Sequence, residues 1–328
     1  MVCGLIIAFS PETTDGRWDS QVYVGDVTQD LNRWPTDSTR DIVPAACHSH
    51  NDYWRKVPLF SAIEAGCTGV EADIWLMNDE LYVGHKKSAL TESRTLRNLY
   101  VNPLVELLNN QNPITHFHPQ KDDPRNGVFD TDPRQSLVLL IDFKSNGEKT
   151  WPHVVSQLSP LRNRGYLSYY DGMRVMNGPI TVVATGNAPF DLLIANSTYR
   201  DIFFDAPLNE IAEDTQQHSS SRHESTSTAN KYNPTNSYFA SVSYTKAIGS
   251  PVFFQIISNQ RLRIRSQIEA AHRHGLKVRY WNTPSWPRSL RNYVWSVLER
   301  EGVDYLNVDD LNSATTKDWR HRFWDWWI

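Results

Sequence analysis

The chain has 328 residues, 40% hydrophobic and 21% charged, with 12 tryptophans; that is apolar material for a sizeable core, in one large domain or two small ones. Its 33 basic and 37 acidic residues leave a net charge of −4, and no Lys/Arg block is dense enough for a nucleic-acid footprint. Nucleic acid is therefore excluded as an expected partner.

From the N-terminus, Val2 to Phe9 is apolar but too short to span a bilayer. It has no basic region before it and no clear cleavage site, so it makes a poor signal peptide, and residues 1–41 read as an N-terminal extension. Strands are expected at Val43 to Cys47, at Gly69 to Trp75 with an extension at Leu81 to Gly84, and at Leu137 to Phe143. Further strands are expected at Ile180 to Ala184, Asp201 to Phe204, Ser237 to Val242, Lys277 to Trp281 and Tyr305 to Val308. Between them fall helical patterns: Pro58 to Ala65 closed by Gly66, Leu96 to Leu108, Ser258 to His274 closed by Gly275, and Arg288 to Arg300 closed by Gly302.

About eight strands alternating with helices predict an α/β fold, a (β/α)8 TIM barrel over residues 42–312, with catalytic groups at the C-terminal strand ends. Glu210 to Asn236, after the fifth strand, is rich in Ser, Thr, Asn, Gln and His and reads as a mobile surface loop, a lid over the site. Residues 313–328 form an aromatic C-terminal tail. Cys3, Cys47 and Cys67 are odd in number and lack metal-ligand spacing. The simplest reading is buried thiols in a reducing compartment, with a Cys47 to Cys67 bridge as the alternative. An intracellular monomer is the expectation, and the Asn196-Ser197-Thr198 sequon matters only for a secreted chain.

Four polar clusters sit at the ends of apolar runs: His48-Ser49-His50-Asn51-Asp52-Tyr53, Glu71-Ala72-Asp73, His85, and Asp142-Phe143-Lys144. Side chains two apart on a strand share a face, so Glu71 with Asp73, and Asp142 with Lys144, point the same way. Glu71, Asp73 and Asp142 are expected to converge as oxygen ligands at one barrel mouth, a donor set suited to Mg²⁺ or Ca²⁺. Any one of these carboxylates alone reads better as structural; three at matched positions beside histidines shift the balance. His48 or His50 could face His85 as general base and acid, and Lys144 could complement a phosphate or pair with Asp142 or Asp73. The remaining histidines, His116, His118, His153, His218, His223, His272, His274 and His321, read as ordinary surface or core groups.

These segments resemble, in chain order, the phospholipase C-like phosphodiesterase superfamily, which includes glycerophosphodiester phosphodiesterases, phosphoinositide phospholipase C and sphingomyelinase D toxins. Ser49-His50-Asn51-Asp52-Tyr53 is similar to the Ser-His-Asn-x-Tyr segment of the phospholipases. In another register, His48-Ser49-His50-Asn51 is similar to the His-x-x-Asn segment of the toxins. Glu71-Ala72-Asp73 resembles the family's metal pair, His85 its second histidine, and Asp142-Phe143-Lys144 its (Asp/Glu)-x-Lys pair. Tyr280-Trp281-Asn282 resembles a late strand, and Gly302-Val303-Asp304 begins its last one. Position 142 is Asp where glycerophosphodiesterases carry Glu, and their His-Arg-Gly start is absent, which leans towards lipid phosphodiesters. His85 is followed by Lys86-Lys87 rather than Asp, which leaves its orienting partner unidentified.

The resemblance implies a metal-dependent phosphodiester hydrolase acting on a lipid-derived or glycerol phosphodiester. Glu71, Asp73 and Asp142 would hold one divalent cation with Asn51 as a fourth ligand. His50 is the preferred base, with His48 as the alternative, His85 the acid and Lys144 the charge stabiliser. Trp281, Asp205 and Asn282 are candidate substrate contacts, although a core indole at 281 and a capping carboxylate at 205 are equally good readings. The tail residues Trp319, Phe323, Trp324, Trp326 and Trp327, with Arg320 and Arg322, could make peripheral membrane contact, but packing on the barrel's outer helices is the first expectation. Rival functions are a catalytically inactive barrel used as a binding module, and a metal-dependent aldolase or isomerase on the same scaffold.

Overall fold

A computed structural model describes residues 37–117, 119, 124–213 and 231–316. Its strands are β1 (Ala45–Ser49), β2 (Cys67–Met77), β3 (Glu80–Val83), β4 (Leu137–Phe143), β5 (Tyr169–Tyr170), β6 (Val175–Met176), β7 (Ile180–Gly186), β8 (Ile202–Pro207), β9 (Ser237–Ser243), β10 (Lys277–Trp281) and β11 (Tyr305–Val308). Eight of them pair in parallel in the order β1, β11, β10, β9, β8, β7, β4, β2, and β1 pairs with β2 to close the barrel. The expected (β/α)8 barrel is the fold. β3 extends β2 as an antiparallel hairpin, while β5 and β6 form a separate small one.

The strand sequences follow from what each face meets. Leu137–Phe143 is nearly all aliphatic because both faces are covered. Its residues Leu139, Ile141 and Phe143, with Val70, Ala72 and Ile74 of β2, join the shell between barrel and helices, which includes Leu104, Ile264 and Leu298. Val138, Leu140, Val183, Phe239 and Tyr305 fill the barrel interior. Burial of an aliphatic or aromatic side chain of this kind stabilises by roughly 1.5–3 kcal/mol.

The expected helices form as Phe60–Ala65, Asn102–Gln111 preceded by a π-turn at Arg97–Val101, Ser258–Arg273 and Arg288–Glu301. Helix Gly147–Gln157 escapes the sequence pattern because a glycine opens it and Pro152 lies inside. Asn146 caps it by accepting from the Lys149 amide at 3.0 Å. Within the polar segment after β8, residues 208–213 are helical, and Tyr232 is buried against Phe190 and Phe204. Residues 214–230, with the expected lid, lie outside the described residues, as do the extension up to residue 36, Cys3, and the tail aromatics from Trp319 on.

The cysteine expectation needs correction. Cys47 and Cys67 form a disulfide between β1 and the first residue of β2. Parallel pairing of the successive strands β1 and β2 brings the two Cα atoms to 4.9 Å, within bridging range. Spacing along the chain does not carry the register that sets one sulfur against the other.

Past β11, Leu311–Thr316 is a short helix whose start is held by Asp310, which accepts from the Ser313 amide at 3.0 Å and hydroxyl at 2.7 Å. The same carboxylate pairs with the buried Arg291 guanidinium. Burial works to raise the Asp310 pKa, but the Ser313 hydrogen bonds and Arg291 hold it below the usual value of 3.8. Asp310→Asn is expected to destabilise the fold by about 3 kcal/mol, because it strands a buried cation. A depressed carboxylate stabilises above its unfolded pKa and loses that contribution as pH falls through its folded value. The difference in unfolding free energy between native and variant chains should therefore shrink on acidification below about pH 4 in denaturant titrations.

Candidate active site

The register of β2, β4 and β7 sets Asp73 beside Asp142, and Asp142 beside Thr185, at the C-terminal end of the barrel. Glu71 lies two residues deeper on β2. One oxygen from each of Glu71, Asp73 and Asp142 falls within 4.8 Å of the others. Asp73 Oδ2 accepts from Tyr53 Oη at 2.8 Å and pairs with Lys144 Nζ at 3.1 Å, while Asp142 Oδ2 pairs with Lys144 at 2.6 Å. Asp73 Oδ1 is buried without a hydrogen-bond partner. Burial and the neighbouring Glu71 and Asp142 charges push Asp73 up to about 7. Burial also raises Asp142 despite the Lys144 cation. An orphaned buried carboxylate oxygen inside a group of like charges is what a cation relieves, so this cluster could bind a metal ion.

Backbone shape makes room for it. Gly186 has φ +69, and a Cβ there would lie 2.0 Å from Asp142 Oδ1, so any side chain would collide with the carboxylate. A Cβ on Gly69, paired with His48 across β1 and β2, would lie 2.6 Å from His48 Nδ1. Both glycines give their space to site groups.

The two histidines of the first cluster occupy different depths. His48 is wholly buried, with 0% exposure, and its Nε2 lies 3.2 Å from Glu71 Oε2. Burial lowers its pKa to about 4 despite the Glu71 contact, so it is neutral and donates Nε2–H. Burial opposes ionisation of Glu71, but the His48 hydrogen bond and the His50 and Arg279 charges outweigh it and bring Glu71 to about 2. His50 lies one layer higher, its side chain 28% exposed, with Nδ1 2.9 Å from Asp309 Oδ1 beyond β11. Its burial is overcome by the Asp309 hydrogen bond and the Glu71 charge, and its pKa rises.

His85, past β3, has Nδ1 3.4 Å from Asp73 Oδ2 and packs on Trp54. Burial, with the Lys144 and Lys86 cations, lowers its pKa. Asn51 takes a left-handed turn at φ 48, which an asparagine tolerates, and its Oδ1 faces the Tyr53 hydroxyl. That hydroxyl has one proton to share between Asn51 and Asp73. Tyr53, Arg279, Asp309 and Gly186 are the site residues that pattern reasoning missed.

Arg279 had a signal: a guanidinium between Val278 and Tyr280 in a buried strand must face inward and find anions. It does so below the mouth, donating to Asp205 Oδ2 at 3.1 Å and Asn307 Oδ1 at 2.8 Å, and standing 3.7 Å from Glu71 Oε2. Asp205, which also accepts from Thr185 at 3.1 Å, is thus built into this lower layer. Trp281 stands at the rim, and the Asn282 amide donates to Thr245 Oγ1 at 2.5 Å, tying the end of β10 to the short helix Tyr244–Ala247 after β9.

A family model described as the AIM6-like phosphodiesterase domain matches residues 36–205, the stretch that holds the carboxylates, the three histidines and Lys144. "Altered inheritance of mitochondria protein 6 homolog" from Arthroderma benhamiae is 42% identical, covering 87% of each chain. "Altered inheritance of mitochondria protein 6" from Eremothecium gossypii is 37% identical over 84% of this chain and 70% of its own. The Saccharomyces cerevisiae (strain RM11-1a) protein of that name is 34% identical over 86% of this chain and 74% of its own.

Proposed function

The chain belongs to the AIM6-like phosphodiesterase domain family, and from that premise we propose that it is a divalent-cation-dependent hydrolase of lipid-derived or glycerol phosphodiesters. The observation that carries the reading is the carboxylate trio with its orphaned Asp73 oxygen, set beside one histidine held by a carboxylate and a second 3.4 Å from Asp73.

Mg²⁺ or Ca²⁺, held by Glu71, Asp73 and Asp142 with Asn51 as a fourth donor, would supply Lewis acidity and charge neutralisation at a phosphoryl oxygen. His50 gives its Nδ1–H to Asp309, which leaves Nε2 as the basic nitrogen. In this reading Nε2 takes the proton of the attacking hydroxyl, whether from water or from the substrate itself, and Asp309 stabilises the imidazolium formed. His85, with Nδ1 3.4 Å from Asp73 Oδ2, stands across the cluster from His50 and protonates the leaving oxygen. Lys144 balances charge on the equatorial oxygens. His48 positions Glu71 and takes no part in proton transfer, as its burial supports. Trp281 and Asn282 border the entry for the organic part of the substrate.

The test is a panel of bis-p-nitrophenyl phosphate, glycerophosphocholine, lysophosphatidylcholine, sphingomyelin and phosphatidylinositol, assayed with Mg²⁺, with Ca²⁺ and with EDTA. Turnover of at least one member, abolished by EDTA and restored by added cation, is expected. No cation-dependent turnover of any member overturns the reading.

A further inference from the structure

The connection from β9 to helix Ser258–Arg273 carries a turn whose sequence runs against its backbone. Val252 and Gln255 exchange two backbone hydrogen bonds, at 2.8 and 2.9 Å, around a two-residue tip. The tip residues, Phe253 and Phe254, have φ +48 and +64. Positive φ at both central positions favours Asn-Gly, and bulky side chains adopt it only at a cost. Here the tip instead presents two phenylalanines to solvent, 92% and 61% exposed.

They are not isolated. As a βα connection the turn lies on the barrel's C-terminal face, the same face as the carboxylate site. On the same face, Trp281 and Trp286 lie at and beyond the end of the neighbouring strand β10, and Trp54 follows β1, one strand further on past β11; all three indoles are exposed. The exposed charges of the same arc are Lys56, Lys86, Lys87 and Lys246 against Glu92 and Asp309. Asp79, exposed at the β2–β3 turn, adds a third carboxylate, so lysines exceed carboxylates by one beside the protruding aromatics of a chain whose net charge is −4. Protruding Phe and Trp ringed by lysines match a bilayer interface with anionic headgroups, where Trp is enriched and Lys is attracted to the surface.

We propose that this arc, with Phe253 and Phe254 as its insertion tip, docks the barrel mouth on an anionic lipid surface. The proposal rests on the phosphodiesterase reading only in that a lipid substrate would be met there; binding itself needs no turnover. The experiment is flotation of the full chain with vesicles of phosphatidylcholine containing phosphatidylserine. It compares the native chain with Phe253→Asn/Phe254→Gly, which gives the turn its preferred residues and should leave the melting temperature unchanged or higher. Phe117→Asn, an 86% exposed phenylalanine in the connection leading into β4 on the opposite face, serves as control.

The tip variant should bind at least about tenfold more weakly, since each buried Phe side chain contributes that much or more. The control should bind as the native chain does, and all three should turn over soluble bis-p-nitrophenyl phosphate alike. A native chain that does not float, that associates with itself instead, or that binds no better than the tip variant overturns the docking proposal. Unchanged soluble turnover in that case leaves the phosphodiesterase reading standing.

Discussion

Asp73→Asn is expected to abolish cation-dependent turnover and to weaken cation binding by at least a hundredfold, roughly the upper range seen when even an outer partner of a metal ligand is removed. The same change should make the cation-free protein more stable. Asp73 is buried beside Glu71 and Asp142, and that burial with the two neighbouring charges raises its pKa to about 7. Replacing it with a neutral amide of the same shape removes that repulsion while keeping a partner for Tyr53 Oη, although it gives up part of the Lys144 pairing. Thermal unfolding with and without Mg²⁺ or Ca²⁺ separates these effects. The native chain should gain melting temperature on adding the cation, and the variant should start higher and gain nothing. A variant that starts lower and still responds to the cation would remove Asp73 from the metal cluster.

The second large effect distinguishes the two histidines of the first strand end. His50→Gln is expected to cut turnover by roughly 10²- to 10⁴-fold, the usual worth of a general base. His48→Gln should retain most of the rate, because the glutamine amide can still donate to Glu71 Oε2 in place of the imidazole Nε2–H. His48→Leu cannot donate, and should weaken cation binding about 10- to 100-fold with a smaller loss of rate at saturating cation. Rate against cation concentration is the measurement. Equal loss at His48→Gln and His50→Gln would sink the division of roles.

Much of this site can be read from strand period alone. Glu71 and Asp73 had to share a face, as did Asp142 and Lys144, and in each case the face is the barrel interior. The strands themselves were recognisable because aliphatic runs such as Leu137–Phe143 are short and bounded by turn residues. What period 2 does not carry is depth. His48 and His50 are equivalent by that criterion, yet one is sealed below the mouth and the other opens to it. Their partners, Glu71 and Asp309, are 23 and 259 residues away.

The sequence by itself determined the barrel, the end of it that bears chemistry and the residue types available there, because hydrophobic period and turn residues act over a few positions. Strand register and closure of the barrel decided the rest: the contact of Cys47 with Cys67, the descent of Arg279 onto Asp205, Asn307 and Glu71, and the pairing of Asp309 with His50. Closure brings β1 between β2 and β11, strands from opposite ends of the chain, and the stagger between strands sets which inward residues meet at one level. That long-range register also separates His50 at the mouth from His48 sealed beneath it.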